Sequence, residues 1–419
     1  AGLVVRVIWN VIPAMNASVI GEWDLSGGSD PWYMKRIIDY VAVERAHLVF
    51  DADRNYPVGG LNPRPPLFSW SLALGGILLS WVADMSLSEA VWWSVESQPA
   101  IWGALIVLPV AGMARRFHSP LAGIAAAWLI AFMPGHISHS TFGLADHDSF
   151  AMFFLTMGFY WWVRAMIDIN QNRLFARTSW NPAYLIAGIR SMWANQRTVM
   201  LFATLAGVSF ATAGLAWKGF VYAPGIIFLA FSGVAILNLF RGRDTLPITS
   251  AMNQMLVTSM LIPLPFYMWP GMNLLSDPSG MAPLIYMLGF TLGLGYVISA
   301  ARDSTRSIAS TSPYASRPST CTPAISTTIS PTLRPACSAG PPGLMLLTVT
   351  DVEVSRFKPK PVGGRSSCSE SSSAADAAAV SAAAGAVMLR LTVLLLAAAQ
   401  HKRVASSCEL HRITSPLSH

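Results

Sequence analysis

Cysteine is missing from the first 320 residues of this 419-residue chain, and charge is scarce throughout. The first absence excludes a disulfide framework or a thiolate metal site from that part. The second excludes an ordinary soluble domain. Asp, Glu, Lys and Arg make up 12% of the residues, about half the usual share. Hydrophobic residues reach 53% and the mean hydropathy is +0.47, the mark of an all-α, multi-pass membrane protein. Tryptophan vanishes in turn after residue 300, because all 15 precede it. The four cysteines, Cys321, Cys337, Cys368 and Cys408, all follow that point and have no metal-ligand spacing. Charge divides at the same place: 16 Lys/Arg against 15 Asp/Glu through Ala300, then 12 against 6. The pI near 9.4 therefore belongs to the tail, and no nucleic-acid partner is expected.

Two regions follow from this break. Residues 1–300 are expected to form the membrane domain. Residues 301–419 are a Ser/Thr/Pro/Ala-rich tail, for example "STRSIASTSPYASRPSTCTPAISTTISPTLRPACSAGPP". Such a composition cannot bury enough apolar surface to offset chain entropy. The tail is expected to be disordered or, from the abruptness of the change, translated out of frame. Reading the gene in the other two frames checks the second idea. The run at 387–399 is too short and too arginine-interrupted for a span. The chain opens inside an apolar run, "AGLVVRVIWNVIPA", which reads as a truncated first span and not as a cleavable leader.

A span needs about 20 mostly apolar residues. Eight stretches qualify: 1–20, 97–114, 120–138, 149–167, 198–216, 220–240, 251–269 and 281–300. Arginines orient them. Arg115 and Arg116, the group Arg164, Arg173, Arg177, Arg190 and Arg197, the pair Arg241 and Arg243, and Arg302 with Arg306 alternate with the spans as cytoplasmic residues would. Loops 21–66, 139–148, 217–219 and 270–280 then lie outside. A borderline piece, 66–83, is expected to be an interfacial helix of the first outer loop. A crossing there would put loops 21–66 and 139–148 on opposite faces.

The outer loops hold the residues suited to chemistry. In the first, Gly27 and Gly28 permit a sharp turn before Asp30, and Pro31 suits a helix start. Asp30 reads as an N-cap, and equally as a ligand. In the second, "GHISHSTFGLADHDSF", Asp146 and Asp148 stand two apart, a spacing that lets both turn toward one ion at a helix start. Mg²⁺ and Mn²⁺ take oxygen ligands, and carboxylates with phosphate oxygens and water would satisfy them. Asp30, Asp146 and Asp148 land on one face of the membrane by the span count. Acids gathered there repel unless a divalent cation joins them, and such a cation attracts the phosphate of a lipid-linked substrate. His147 is placed to contact phosphate. His136 and His139 lie near, in spacings that match no metalloprotease motif. Trp217 and Lys218 mark the third outer loop, Trp217 as an interface anchor and Lys218 as a phosphate-facing candidate. Glu44, Asp51 and Asp53 read as solvated loop charges.

"SGGSDPWYMKR", then "RPPLFSW", "FGLADHDSF" and "GLAWKGF", in that order and on one face, resemble the catalytic subunit of oligosaccharyltransferases, the archaeal type above all. The resemblance covers residues 1–300. It implies a GT-C fold followed by a soluble C-terminal domain. It also implies inverting transfer of a glycan from a dolichol-type phosphate carrier to the Asn amide of an N-x-S/T sequon. A Mn²⁺ or Mg²⁺ ion would be held by Asp30, Asp146 and Asp148 in a cell-membrane enzyme whose site faces outward. His147 and Trp217 would sit at the lipid phosphate, and some archaeal relatives carry a histidine at the second ligand position. The partners implied are the dolichol-linked donor, a sequon-bearing acceptor protein and membrane lipid. The family's fifth-loop glutamate and its W-W-D-Y-G motif are not found in this sequence, so a truncated inactive form is one reading of the chain. Another GT-C transferase, such as an O-mannosyltransferase, is the alternative enzyme, but it would carry its acidic pair in the first loop. A transporter would place its ionisable groups mid-membrane.

Overall fold

The computed structural model describes residues 1–311 apart from 9, 26–27, 170–182, 242 and 269–280. Gly27, Arg173, Arg177, loop 270–280 and the tail beyond residue 311 lie outside the described residues. Among the described residues the regular secondary structure is helical save one small hairpin. In chain order the elements are α1 (Gly2–Val7), α2 (Val11–Ile20), α3 (Ser29–Glu44), β1 (Phe50–Asp51), β2 (Gly60–Leu61), α4 (Pro66–Ala83), α5 (Leu87–Leu105), α6 (Val107–Phe117), α7 (Pro120–Phe132), α8 (Pro134–Ile137), α9 (Asp148–Asp168), α10 (Ala183–Asn195), α11 (Arg197–Gly214), a 3₁₀ turn (Lys218–Val221), α12 (Tyr222–Phe240), α13 (Leu246–Leu261), α14 (Leu264–Tyr267) and α15 (Ala282–Thr311).

Five helices among the described residues are long and apolar enough to cross a membrane: Pro66–Ala83, Leu87–Phe117, Asp148–Asp168, Arg197–Gly214 and Lys218–Phe240. Several expected spans are shorter than their apolar runs, and proline explains two of them. The 120–138 run stops being helix at Phe132, because Pro134 pushes Met133 to extended backbone at ψ 115°. The 251–269 run instead forms α13 from Leu246 to Leu261, cut off ahead of Pro263. The first run is split into α1 and α2. α15, in contrast, continues eleven residues past Ala300, where the composition changes.

Starts are well marked. Ser86 caps α5 by accepting the Glu89 N–H at 3.2 Å, with an acid at the third helical position. Ser119 caps α7 through the Ala122 N–H, with Pro120 in the first turn.

The helices pack into two main cores. In one, Met200, Ala203, Ala206 and Phe210 of α11 meet Met252, Met255 and Leu256 of α13 and Leu155 and Trp162 of α9. Polar links cross it, since Gln254 Nε2 donates to Thr204 Oγ1 at 3.1 Å and Thr291 Oγ1 to Asn253 Oδ1 at 2.7 Å. The other core joins the first outer loop to the bundle: Met34, Ile37, Ile38 and Val41 of α3, Phe68 and Leu72 of α4, Val91 and Val95 of α5, and Phe150 of α9. α4 lies back along the first half of α5, where Ser94 Oγ donates to Leu72 O at 2.8 Å.

The hairpin closes the first outer loop, with Phe50 opposite Leu61 and Asp51 opposite Gly60. Asp51 is not the solvated charge expected from sequence. It is 2% exposed and paired with Arg36 at 2.9 Å, and Asp53 shares the same guanidinium. Glu44 is exposed, as expected.

Candidate functional site

The second outer loop is held from three sides before its acids appear. Buried Arg6 donates from Nε to Ser140 Oγ at 2.8 Å, and from Nη1 to Gly2 O and Ala131 O. The Phe142 N–H returns to Arg6 O at 2.9 Å, and Asn10 Nδ2 donates to Phe142 O at 2.6 Å. His136 Nε2 lies 3.0 Å from Gly103 O. Gly143 then turns at φ +86°, a region that favours glycine, with its N–H on Glu96 O at 2.9 Å. Ala145 is fully buried, so the residues beside it are turned the other way.

That turn brings Asp146, His147 and Asp148 together, with one ligand atom from each within 4.8 Å of the others. His147 Nδ1 is 2.5 Å from Asp146 Oδ1, and the same oxygen accepts the His147 backbone N–H at 2.7 Å. His147 Nε2 stands 3.9 Å from Asp148 Oδ1, while His139 Nδ1 approaches Asp148 Oδ2 at 3.2 Å. Asp148 opens α9, where the helix dipole favours an acid. Burial pushes the Asp146 carboxyl up, but the hydrogen bond and charge of His147 outweigh it and hold it at about 2. Burial pulls His147 down, and the hydrogen bond its ring donates to Asp146 carries it above the ordinary histidine value.

His147 is 7% exposed. Its ring lies edge-on to Phe68 at 6.4 Å and tilted to Trp217 at 6.3 Å. Trp217 reaches this place because residue 219 is glycine. A Cβ there would fall 2.3 Å from the indole. Trp217, expected from sequence as an interface anchor, thus lies beside His147.

Asp30 enters from α3. Gly28 at φ +85° caps that helix, so Asp30 occupies its first turn and is not the N-cap expected from sequence. It is paired with Arg64, Nη2 to Oδ1 at 2.7 Å. Asp30 is not part of the grouping of Asp146, His147 and Asp148. Arg64 links the two loops, because its charge helps lower Asp146 and opposes protonation of His147. Sequence reasoning placed His139 near the acids without giving it a partner, and it missed Arg64 as the partner of Asp30 and Arg6 as the anchor of the loop. Arg64 was visible as the cation between two prolines in "NPRPPLF". Arg6 carried no local signal.

Two carboxylates and an imidazole at this separation are a donor set for a first-row divalent cation. Oxygen-seeking Mn²⁺ and Mg²⁺ would use mainly Asp146 and Asp148, with His147 as a third donor better suited to Mn²⁺.

Comparison with known proteins gives the context of this site. Residues 3–350 match the family described as oligosaccharyl transferase STT3, N-terminal. A dolichyl-phosphooligosaccharide-protein glycotransferase of Archaeoglobus fulgidus is 30% identical over 252 residues, 59% of this chain and 26% of that protein. The dolichyl-monophosphooligosaccharide–protein glycotransferase AglB of Haloferax volcanii is 26% identical over 309 residues, 72% of this chain and 28% of that protein. The chain thus spans about a quarter of these relatives' length. The crystal structure of the A. fulgidus oligosaccharyltransferase in the apo form shares the fold, with a TM-score of 0.50 at 23% identity over 72% of this chain and 34% of that one. A second crystal structure of that enzyme is a complex with zinc and sulfate, and a structure of the oligosaccharyltransferase AglB of A. fulgidus holds an inhibitory peptide and a dolichol-phosphate. The extent of the family match means that this chain is a membrane protein belonging to the STT3 oligosaccharyl transferase family.

Proposed function

We propose that the chain carries the donor- and metal-binding part of an enzyme of protein N-glycosylation. The enzyme transfers an oligosaccharide from a dolichol-type lipid phosphate to the Asn amide of an N-x-S/T sequon. The observation that carries this reading is the convergence of Asp146, His147 and Asp148 beside Trp217, with Asp30 and Arg64 brought in from the first outer loop. The glycosyltransferase names of the relatives support it, as do the dolichol-phosphate and acceptor peptides in crystals of the A. fulgidus enzyme.

Asp146 and Asp148 would hold Mn²⁺ or Mg²⁺, with His147 beside them. When bound, the cation supplies Lewis-acid stabilisation of the charge that develops on a phosphate leaving group. Asp30, with 58% of its side chain exposed, is the carboxylate open to an acceptor amide N–H. The amide nitrogen forms its bond to the anomeric carbon as the bond to the phosphate oxygen breaks, which inverts that carbon, and the displaced amide proton passes to the Asp30 carboxylate. His147 orients Asp146 through the 2.5 Å contact. Phe68 and Trp217 exclude water from the buried side of the imidazole.

The site faces the extracytoplasmic side in this reading, and α4, although long and apolar enough to cross a membrane, belongs to the first outer loop and packs on the part of α5 nearest that loop. Two observations support that placement. Leu87–Phe117 is one helix of 31 residues, about 46 Å long at 1.5 Å per residue, which exceeds a hydrocarbon core of about 30 Å. α4 packs on the first half of this rod, and α7 returns from its arginine end. With only that excursion between them, loops 21–66 and 139–148 share a face, and Phe68, just beyond the first loop, packs edge-on to His147 of the second.

The test is transfer to a fluorescent N-x-T peptide in nanodiscs with dolichyl-phosphate-linked glycan and Mn²⁺, alongside Mn²⁺ binding by electron paramagnetic resonance. Binding by the wild-type chain and its loss in Asp146→Ala is the expected result. Mn²⁺ affinity unchanged in that variant overturns the metal site. Failure of the wild-type chain to bind either Mn²⁺ or the donor overturns the reading.

A further inference from the structure

Four tryptophans outside the site described above form one chain of ring contacts. Trp32, in the first turn of α3, meets Trp92 of α5 edge-on at 5.9 Å. Trp92 stacks on Trp23 at 5.5 Å, and Trp23 meets Trp93 edge-on at 5.6 Å. Trp93 reaches Phe142 of the second outer loop at 6.1 Å, four residues before Asp146. The residue after Phe142 is Gly143, whose N–H rests on Glu96 O. The rings therefore lead from the start of α3 to the loop that holds Asp146 and Asp148, and all four indoles precede the span expected at 97–114.

Most of these rings brace one another. Lys35 Nζ stands 4.0 Å over the Trp92 ring and is itself held by Asp39 at 2.6 Å. Trp32 differs, since 44% of it is exposed. An exposed indole on a membrane protein commonly anchors it in lipid. The surroundings suit that poorly, because Glu22, Asp24 and Asp30 are exposed on the same stretch and carboxylates lose hydration against lipid. They suit a neutral ligand rich in hydroxyl groups. Glu96 makes the same demand. It follows Trp92 and Trp93 by one turn of α5 and is 3% exposed. Its carboxyl meets no hydrogen-bond or ion-pair partner among the described residues. A buried carboxyl without donors is costly, and hydroxyl groups are donors that a carboxylate accepts well. A pyranose offers both halves of the match. Its C–H face suits the negative face of an indole, and its hydroxyls suit the acid.

We propose that Trp32 is a stacking platform for a sugar ring of the lipid-linked oligosaccharide, and that Glu96 accepts hydroxyl groups of the same glycan. Trp23, Trp92 and Trp93 brace the platform. The inference rests on the function proposed above and adds to it the residues that hold the transferred group, apart from those that would hold the cation.

The experiment is calorimetric titration of the whole chain in nanodiscs, with Mn²⁺ throughout. It compares farnesyl phosphate with farnesyl phosphate carrying glucose, mannose or N-acetylglucosamine. Wild type is expected to bind at least one sugar-bearing form tenfold or more tighter than farnesyl phosphate itself. Trp32→Ala should remove most of that gain and leave farnesyl phosphate unchanged. Glu96→Gln should reduce the gain about threefold, again without effect on farnesyl phosphate. Equal wild-type affinity for farnesyl phosphate and all three sugar-bearing forms would overturn the inference while leaving the function intact. A gain unchanged in Trp32→Ala would overturn the platform, and an equal loss of all four ligands there would make Trp32 a membrane anchor and overturn it as well. A gain unchanged in Glu96→Gln would overturn the role given to the acid. If Trp32→Ala does not fold, Trp32→Leu decides, because it keeps an apolar side chain without the flat face: a full gain overturns the platform, and a loss of about threefold or more supports it. No binding of any of the four ligands by wild type would overturn this inference together with the function on which it rests.

Discussion

The first and second loops both carry candidate site acids, but they secure them differently. Asp30 projects from the first turn of a long helix and is steadied by a single guanidinium in solvent contact. Asp146 and Asp148 sit on a short segment whose backbone is tied to α1 and α5, and each meets a histidine. Half-buried acids with close partners keep their geometry whether or not a ligand is present. An exposed acid on one ion pair is free to exchange partners, because surface pairs contribute only about 0–1 kcal/mol. The second loop is therefore suited to holding, and the first to receiving.

Substitutions can break that contrast, and their effects should fall in a definite order. Asp146→Ala removes a donor and the partner of His147, and should lower Mn²⁺ affinity more than 100-fold; a spin-resonance titration measures it. Arg6→Ala leaves Ser140 and two carbonyls without their donor, at a cost of about 2 kcal/mol. It should lower the melting temperature in nanodiscs, read by intrinsic tryptophan fluorescence, and weaken Mn²⁺ binding as the second loop loosens. Gly219→Ala puts a methyl group into the space of the Trp217 indole, for about 1.5 kcal/mol by overpacking. Its tryptophan emission should shift while Mn²⁺ affinity changes little. Asp30→Asn should change Mn²⁺ affinity less than tenfold, since Asp30 is held by Arg64 and stands apart from the three-residue grouping. A loss as large as that of Asp146→Ala would show that Asp30 is a full ligand and erase the distinction between the loops.

Much of this molecule was legible before any coordinates. The apolar runs that became α9, α11 and α12 needed only hydropathy and length. The acids stood out because charge is so rare around them. What escaped notice depended on distant pairing. Asp51 looks like any loop acid until Arg36, fifteen residues earlier, folds over it. His139 gains meaning only when α9 begins where it does, with Asp148 turned toward it. Arg64 was quoted within a motif, yet its partner lies on another element. Helix ends at 132 and 261 could have been read from Pro134 and Pro263, because the rule is local. The end of α15 could not, since its apolar and polar halves form one helix across a change of composition.

Arg6 adds an ordering in time. Its side chain is 1% exposed, and two of its three acceptors lie 134 and 125 residues further along the chain. A guanidinium left buried without acceptors costs several kcal/mol. During synthesis from the amino terminus, α1 therefore has no complete resting place until Ser140 has been made and folded back. α1 emerges well before Ser140 and is finished only after it, and the second outer loop closes around it in the same step that sets Asp146 and Asp148.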